Sequence, residues 1–175
     1  MHKLQSFVSR MRLELGLEKQ IPDFDNRYGN SNAKILFLLE APGKMAVKSG
    51  LITLENNDQT ARNFKGQIEK SGVRTSDLLL WNIVPWYLGN GVRIDPAGVS
   101  DVKIAFKYLD ELLNILTSLK FIVLVGAAAR LAHVHLSYTT EVPVLSCHHP
   151  SPKVVNKYPE KVDENIRILT RLAKS

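Results

Sequence analysis

Four short apolar runs, separated by stretches of helical periodicity, most constrain the fold of this 175-residue chain. They span residues 33–39, 77–84, 121–125 and 142–145, and each has the length and content of a buried β-strand. Runs that are apolar at consecutive positions bury both faces of a strand, which is typical of a parallel sheet covered by helices. We therefore predict a three-layer α/β/α sandwich with a central four-stranded, mostly parallel sheet and right-handed crossovers.

Apolar residues at helical spacing fill the intervals between these runs. They predict helices over residues 4–15, 59–70, about 100–119, 127–133 and 160–174. The core face of the long third helix is expected to carry Val102, Ile104, Ala105, Tyr108, Leu109, Leu112, Leu113 and Leu116. Residues 21–32 are rich in turn formers and predict a loop. The whole chain, residues 1–175, is expected to form one domain.

Composition narrows the functional classes. The formal net charge of +6 and the pI near 9.5 favour an anionic partner, and nucleic acid ranks ahead of membrane because no long apolar run is present. A single cysteine, Cys147, excludes an internal disulfide and any cluster or zinc site that needs several thiolates. The start of the chain lacks the apolar core of a signal peptide, so we expect a cytoplasmic location. We also expect a monomer.

Chemically unusual residues follow the predicted strands, where a parallel sheet places its ligand site. Glu40-Ala41-Pro42-Gly43-Lys44 follows the first strand, and Cys147-His148-His149-Pro150-Ser151-Pro152 follows the last. Prolines restrict the backbone, so both histidines and Ser151 are expected on a stiffened turn. Asn82 interrupts an otherwise apolar strand, and a buried amide without partners costs about 1–3 kcal/mol. Either neighbouring backbone satisfies this amide, or it meets the edge of a planar ligand.

Three of these segments together resemble the uracil-DNA glycosylase superfamily. Leu39-Glu40-Ala41-Pro42-Gly43 is similar to the first motif of its bacterial and archaeal branches, Asn82 ends the second strand, and His149-Pro150-Ser151-Pro152 is similar to the second motif. The resemblance covers roughly residues 34–153. It implies a monofunctional DNA repair glycosylase that flips a deaminated base, uracil foremost, out of DNA and hydrolyses its N-glycosidic bond to leave an abasic site.

The resemblance also implies roles for individual residues. His149 would donate to the negative charge that develops on the uracil oxygen, and Asn82 would pair with the Watson–Crick edge of the base. Among the remaining motif residues, the base pocket is expected to contain Ala41, Pro42 and Gly43. Contacts to DNA are expected from Lys44, Ser151 and Lys153. The partner is therefore DNA that contains a deaminated base.

The group that activates water is left open. Ala41 stands where the best-known branch has an aspartate, and an alanine cannot activate water. Glu40 is the nearest carboxylate, and the amide of Asn63 or the carboxylate of Asp58 are alternatives. Asp58 is equally typical of a helix cap.

Further departures concern the base stacker, the wedge and the cofactor. The superfamily usually stacks a phenylalanine on the base about a dozen residues beyond the first motif, where this chain has Ile52-Thr53-Leu54; Trp86 or Tyr87 are alternatives. Lys153 stands where relatives place an apolar wedge, a task that Val154 is expected to share. Four cysteines of the iron–sulfur branch are missing, so we expect neither cofactor nor metal.

Two other functional classes remain open. Ala41 and the missing phenylalanine favour a catalytically silent nucleic-acid or nucleobase-binding module on the same fold. A small-molecule hydrolase that uses Cys147 with His148 or His149 is the second, although adjacent residues rarely align as nucleophile and base.

Overall fold

The computed structural model describes residues 2–16, 18–90 and 92–175. Its helices are α1 His2–Leu15, α2 Lys44–Ser49, α3 Gln59–Ser71, α4 Val99–Ile115, α5 His133–Thr139, α6 Pro152–Lys157 and α7 Pro159–Ala173. Its strands are β1 Asp23–Phe24, β2 Ile35–Leu39, β3 Leu51–Ile52, β4 Leu78–Asn82, β5 Phe121–Val125 and β6 Val144–Cys147. Two 3₁₀ turns, Thr75–Asp77 and Ala129–Ala132, precede β4 and α5.

The central sheet has the strand order β4-β2-β5-β6, and its neighbouring strands are parallel. Leu39 pairs with Asn82, and Val125 pairs with Cys147, so the carboxyl ends of the strands lie along one edge. The predicted four-stranded α/β sheet is confirmed. The residues that follow β2, β4 and β6 are thereby brought to the same side of the molecule.

Helices cover both faces of this sheet. Phe37 on β2 packs edge-on against Phe64 of α3, with ring centroids 5.4 Å apart. Trp81, whose register partner is Leu38, packs against Phe7 of α1 at 6.0 Å. Because successive side chains of a strand point to opposite faces, α1 and α3 lie on opposite faces. The helices α6 and α7 contact α3, and α4 contacts α1.

Several local predictions were wrong. The segment predicted as a loop contains β1, which pairs in parallel with β3 in a small second sheet. The short helices α2 and α6 were not predicted. Helix α6 begins at Pro152, the last residue of the segment predicted as a stiffened turn, because proline at the first helical position loses no hydrogen bond. Ile104 was placed in the core, yet it is 54 % exposed on α4.

The fourth strand begins and ends later than predicted, so Cys147 is its last residue rather than the first residue of the loop. Helix α4 ends at Ile115, four residues before the predicted end. Across the described residues, no helix is both long and apolar enough to cross a membrane.

Candidate active site

A cavity of about 380 Å³ opens at the carboxyl ends of β2 and β4. This volume lies in the range of about 300–1,000 Å³ that is typical of small-molecule sites. From the residues predicted at the site, it is lined by Glu40, Ala41, Pro42, Gly43, Lys44, Asn82 and His149. The fold therefore brings both predicted motifs and the predicted amide to one cavity.

Asn82 supplies the polar group at the base of this cavity. Its side chain is 4 % exposed, and its Oδ1 atom has no hydrogen-bond partner in the part of the chain that the structure describes. Leu80, on the same face of β4, and Phe64 of α3 line the cavity beside it. Since an unsatisfied buried acceptor is costly, the geometry favours a ligand donor as its partner over neighbouring backbone.

His149 presents a hydrogen-bond donor to the cavity. Its Nδ1 atom accepts from the backbone N–H of Ser151 at 3.2 Å, which places the proton of the neutral ring on Nε2. Burial lowers the pKa of His149 from its ordinary value, an effect that the negative charge of Glu40 partly opposes. The ring is therefore neutral at pH 7 and retains one N–H donor for the cavity.

The close approach of β5 to the histidine loop depends on Gly126. Its backbone N–H donates to the carbonyl of Cys147 at 3.0 Å, and its φ is +89°. A Cβ atom at this position would lie 2.9 Å from Cβ of His149. Glycine is required here both for the backbone conformation and for the space that His149 occupies.

Helix α7 holds the same loop from the other side. The side chain of Asn165 is 1 % exposed; it accepts from the N–H of His148 at 2.7 Å and donates to the His148 carbonyl at 2.9 Å. Its amide also donates to Oε1 of Gln67 on α3 at 2.9 Å. Sequence reasoning missed this clamp, because Asn165 lies in a helix far along the chain and carries no local motif.

Asn63, a candidate for orienting water, lies outside the lining of the cavity. Its Nδ2 donates to the carbonyl of Pro150 at 2.9 Å, and its Oδ1 accepts from Gln59 at 2.8 Å. Both ends of this amide are therefore occupied, and Asn63 supports the histidine loop from α3.

Two carboxylates line the cavity in the described residues, Glu40 and Asp58. Asp58 accepts from the N–H of Ala61 at 2.9 Å and caps α3, which confirms the capping interpretation of this residue. Glu40 is partly buried, and its Oε1 accepts from the N–H of Ala97 at 2.9 Å. Its second oxygen has no hydrogen-bond partner among the described residues, so Glu40 keeps a free acceptor beside the cavity.

The aromatic wall of the cavity comes from an unexpected position. Phe64 is buried on α3, and it also lines the cavity together with Ile52 and Leu54. The alternative stackers Trp86 and Tyr87 do not line it. Helical spacing marks Phe64 as inward-facing, and it cannot separate a core position from a cavity wall.

The residues predicted to contact DNA lie around the site. Lys44 is exposed at the start of α2, and its Nζ donates to the carbonyl of Val92 at 3.0 Å. Ser151 precedes α6 and is partly exposed, and Lys153 is exposed on α6. Of these three residues, Lys44 lines the cavity.

Cys147 is buried at the end of β6, and burial raises the pKa of its thiol to about 12. Such a thiol is protonated at neutral pH and is a poor nucleophile. The adjacent His148 is engaged with Glu164, with Nε2 and Oε2 2.8 Å apart. The geometry therefore gives no support to a cysteine hydrolase.

Within residues 2–16, 18–90 and 92–175, no group of three or more His, Cys, Asp or Glu side chains is placed to hold a metal ion.

Comparison with known proteins places this geometry in a family. Among solved structures, the chain is similar to the NMR solution structure of a Methanosarcina acetivorans protein provisionally assigned as a uracil DNA glycosylase. The two are 12% identical with a TM-score of 0.58, over 82% of this chain and 93% of that chain. No match was found among curated proteins. The model of the Uracil DNA glycosylase superfamily matches residues 27–173, and the chain therefore belongs to that superfamily.

Proposed function

We propose that this protein is a monofunctional DNA glycosylase that flips a deaminated base, uracil foremost, into the cavity and hydrolyses its N-glycosidic bond. The observation that carries the proposal is the unpartnered Oδ1 of Asn82, buried in the same cavity as the N–H donor of His149. A hydrogen-bond acceptor and a neutral donor in one apolar cavity suit a planar polar base better than a charged ligand.

Asn82 is the proposed recognition residue. Uracil carries an N3–H donor beside the O4 acceptor, and an asparagine amide carries an acceptor beside a donor, so the two edges form a bidentate pair. The bond from N3–H would satisfy the Oδ1 acceptor that now lacks a partner. Phe64, Ile52 and Leu54 would contact the faces of the base. Base–aromatic contacts are worth about 1–3 kcal/mol per base.

His149 and Glu40 are the proposed catalytic residues. When the bond between C1′ and N1 breaks, its electron pair passes to uracil, and the negative charge on the uracil oxygen accepts a hydrogen bond from Nε2–H of His149. The neutral imidazole keeps its proton on Nε2 throughout this step. It stabilises the anion by donating a hydrogen bond and does not act as a general acid. Water then adds to C1′, and its proton passes to the free carboxylate oxygen of Glu40.

Contacts to DNA phosphates are proposed for Lys44, Ser151 and Lys153, which surround the site and are exposed or partly exposed. The net charge of +6 supports an electrostatic contribution to binding. Flipping the base costs a few kcal/mol and costs least at a mismatch. A uracil opposite guanine is therefore the expected preferred duplex substrate.

A second candidate is a catalytically silent DNA-binding or nucleobase-binding module. Ala41 favours it, because this position lines the cavity without a group that could activate water. Formation of an abasic site distinguishes the two candidates, because the silent module binds DNA without cleaving the N-glycosidic bond.

A strand-cleavage assay after alkali tests the proposal. Labelled oligonucleotides would carry uracil opposite guanine, opposite adenine or in a single strand, with hypoxanthine and xanthine alongside. We expect cleavage of uracil substrates, fastest opposite guanine or in single strands, and its loss in the His149→Ala variant. Absence of cleavage on every substrate, with salt-sensitive DNA binding intact, would support the silent module instead.

A further inference from the structure

Residues 88–90 and 92–95 form the two arms of a hairpin at the mouth of the cavity. Gly89 and Ile94 form an antiparallel bridge, and the N–H of Asp95 donates to the carbonyl of Leu88 at 3.1 Å. Asn90 fastens the turn, because its Oδ1 accepts from the N–H groups of Val92 at 3.0 Å and Arg93 at 2.8 Å. The backbone of the hairpin, which we call the rim hairpin, is therefore held in place by its own hydrogen bonds.

The rim hairpin is fixed to the first motif. The ammonium group of Lys44, which lines the cavity, donates to the carbonyl of Val92 at 3.0 Å. Ile94 also lines the cavity while remaining 42 % exposed. The hairpin and the base cavity consequently form one continuous surface.

The side chains on this hairpin are unusual for an exposed turn. Val92 is 87 % exposed, and Ile94 next to the cavity is also exposed. Between them, Arg93 is 77 % exposed and paired with Asp95 at 3.2 Å. Exposed apolar side chains beside a cavity mouth contribute nothing to the stability of the folded protein in water. Such side chains are typical of an interaction site, and apolar residues are the ones that proteins insert between stacked bases.

The groove behind the rim hairpin carries cations. A second cavity of about 520 Å³ lies between α2 and the hairpin, and Lys44 and Lys48 line it together with Glu18. Lys44 lines both this groove and the base cavity. An ammonium group has three donors, so Lys44 can contact a phosphate while it holds the carbonyl of Val92.

We propose that the rim hairpin is the part of the protein that enters duplex DNA beside the flipped nucleotide. Val92 and Ile94 fill the space that the flipped base leaves, and Lys44 and Lys48 hold the phosphates of the same strand. On the opposite side of the site, Lys153 is the exposed side chain of the first turn of α6, while Val154 is partly buried. An ammonium group cannot replace a stacked base, so the apolar contact is assigned to the hairpin. This inference rests on the proposed function, because it takes the cavity as the site of the flipped base.

The test compares duplex with single-stranded substrates. Val92→Ser should lower the single-turnover cleavage rate at a U·G pair about tenfold or more, since the variant no longer offsets part of the unstacking cost. Cleavage of the same uracil in a single strand should stay within about twofold of wild type, because no stack has to be opened. The matched control is Val134→Ser. Val134 is also an exposed valine, at 66 %, but it lies on α5 and does not line the cavity. This control should change neither the duplex nor the single-strand cleavage rate.

A second measurement does not need catalysis. A duplex with a non-cleavable abasic analogue and 2-aminopurine at the neighbouring position should brighten when wild-type protein unstacks it, and brighten much less with Val92→Ser. Equal loss of cleavage on duplex and single strand, or unchanged fluorescence with Val92→Ser, would overturn the assignment. If wild-type protein cleaves no substrate, the proposed function fails, and the fluorescence comparison still decides whether the hairpin enters DNA.

Discussion

Replacement of Gly126 by alanine should disable the site through geometry alone. At φ = +89° a side chain costs about 1–2 kcal/mol, and the added Cβ would lie 2.9 Å from Cβ and 3.1 Å from Cδ2 of His149. Neither atom is the end of a flexible chain, so the histidine loop has to shift. A displacement of 1 Å in a catalytic group can cost about 10²-fold in rate. We expect a loss of roughly that size in kcat for Gly126→Ala.

The Gly72→Ala variant is a control that separates the effect of backbone strain from the effect of a steric clash with His149. Gly72 has a similar φ of +77° at the end of α3, and a Cβ there would meet nothing within 4 Å. Urea unfolding should show that both variants lose about 1–2 kcal/mol from backbone strain, with a larger loss for Gly126→Ala. Strand-cleavage kinetics should show wild-type kcat for Gly72→Ala. Equal kcat in the two variants would refute the argument that Gly126 makes room for His149.

Three further perturbations test the loop and its chemistry. Asn165→Ala leaves buried partners of the clamp unsatisfied and should lower the free energy of unfolding by about 1–3 kcal/mol; a change in urea unfolding below about 0.5 kcal/mol would show that the clamp is dispensable. Glu40→Gln keeps an oxygen for Ala97 yet removes the proton acceptor, so cleavage should slow roughly 10²-fold while binding to abasic DNA persists; wild-type turnover would eliminate Glu40 as the acceptor. Because burial lowers the pKa of His149 in the folded state, the unfolded chain binds the proton first, and stability should fall as pH drops below the ordinary histidine value of about 6.5 toward the lowered one. Unfolding at pH 7.5 and 5.5 should show a steeper loss for wild type than for His149→Ala, and parallel losses would contradict the assignment.

The central sheet could be predicted because its strands are continuous apolar runs. Residues 35–39, 78–82 and 121–125 bury both faces, and this environment leaves a clear pattern in the sequence. Asn82 was identifiable for the same reason, since a polar amide interrupts such a run. The small sheet was not predictable, because strands of two residues, Asp23–Phe24 and Leu51–Ile52, have no periodicity.

The candidate site was predictable in its motifs and less so in its supports. Glu40, Asn82 and His149 lie at or just beyond strand ends and meet at one cavity as expected. Asn63 was a reasonable candidate for orienting water, because it is a polar residue near the motifs. In the structure its amide instead donates to the carbonyl of Pro150, a residue 87 positions further along the chain. Contacts over such separations depend on how helices pack across the sheet, which single-sequence patterns do not encode.

The exposure of the rim hairpin was likewise not predictable from the sequence. Val92 and Ile94 are apolar residues in a turn, and composition alone cannot say whether such residues are buried. Their exposure follows from the bridge between Gly89 and Ile94 and from the attachment of the hairpin to Lys44, and both appear only in the folded chain.

Release of free bases, measured by mass spectrometry, tests most directly whether Asn82 recognises the base. Oligonucleotides carrying either uracil or cytosine at one position would be incubated with wild-type protein and with Asn82→Asp. We expect wild type to release uracil and no cytosine, and Asn82→Asp to release cytosine, because a carboxylate accepts from the N4 amino group of cytosine. Release of uracil by Asn82→Asp at the wild-type rate, with no cytosine, would contradict the assignment of Asn82 to the base edge.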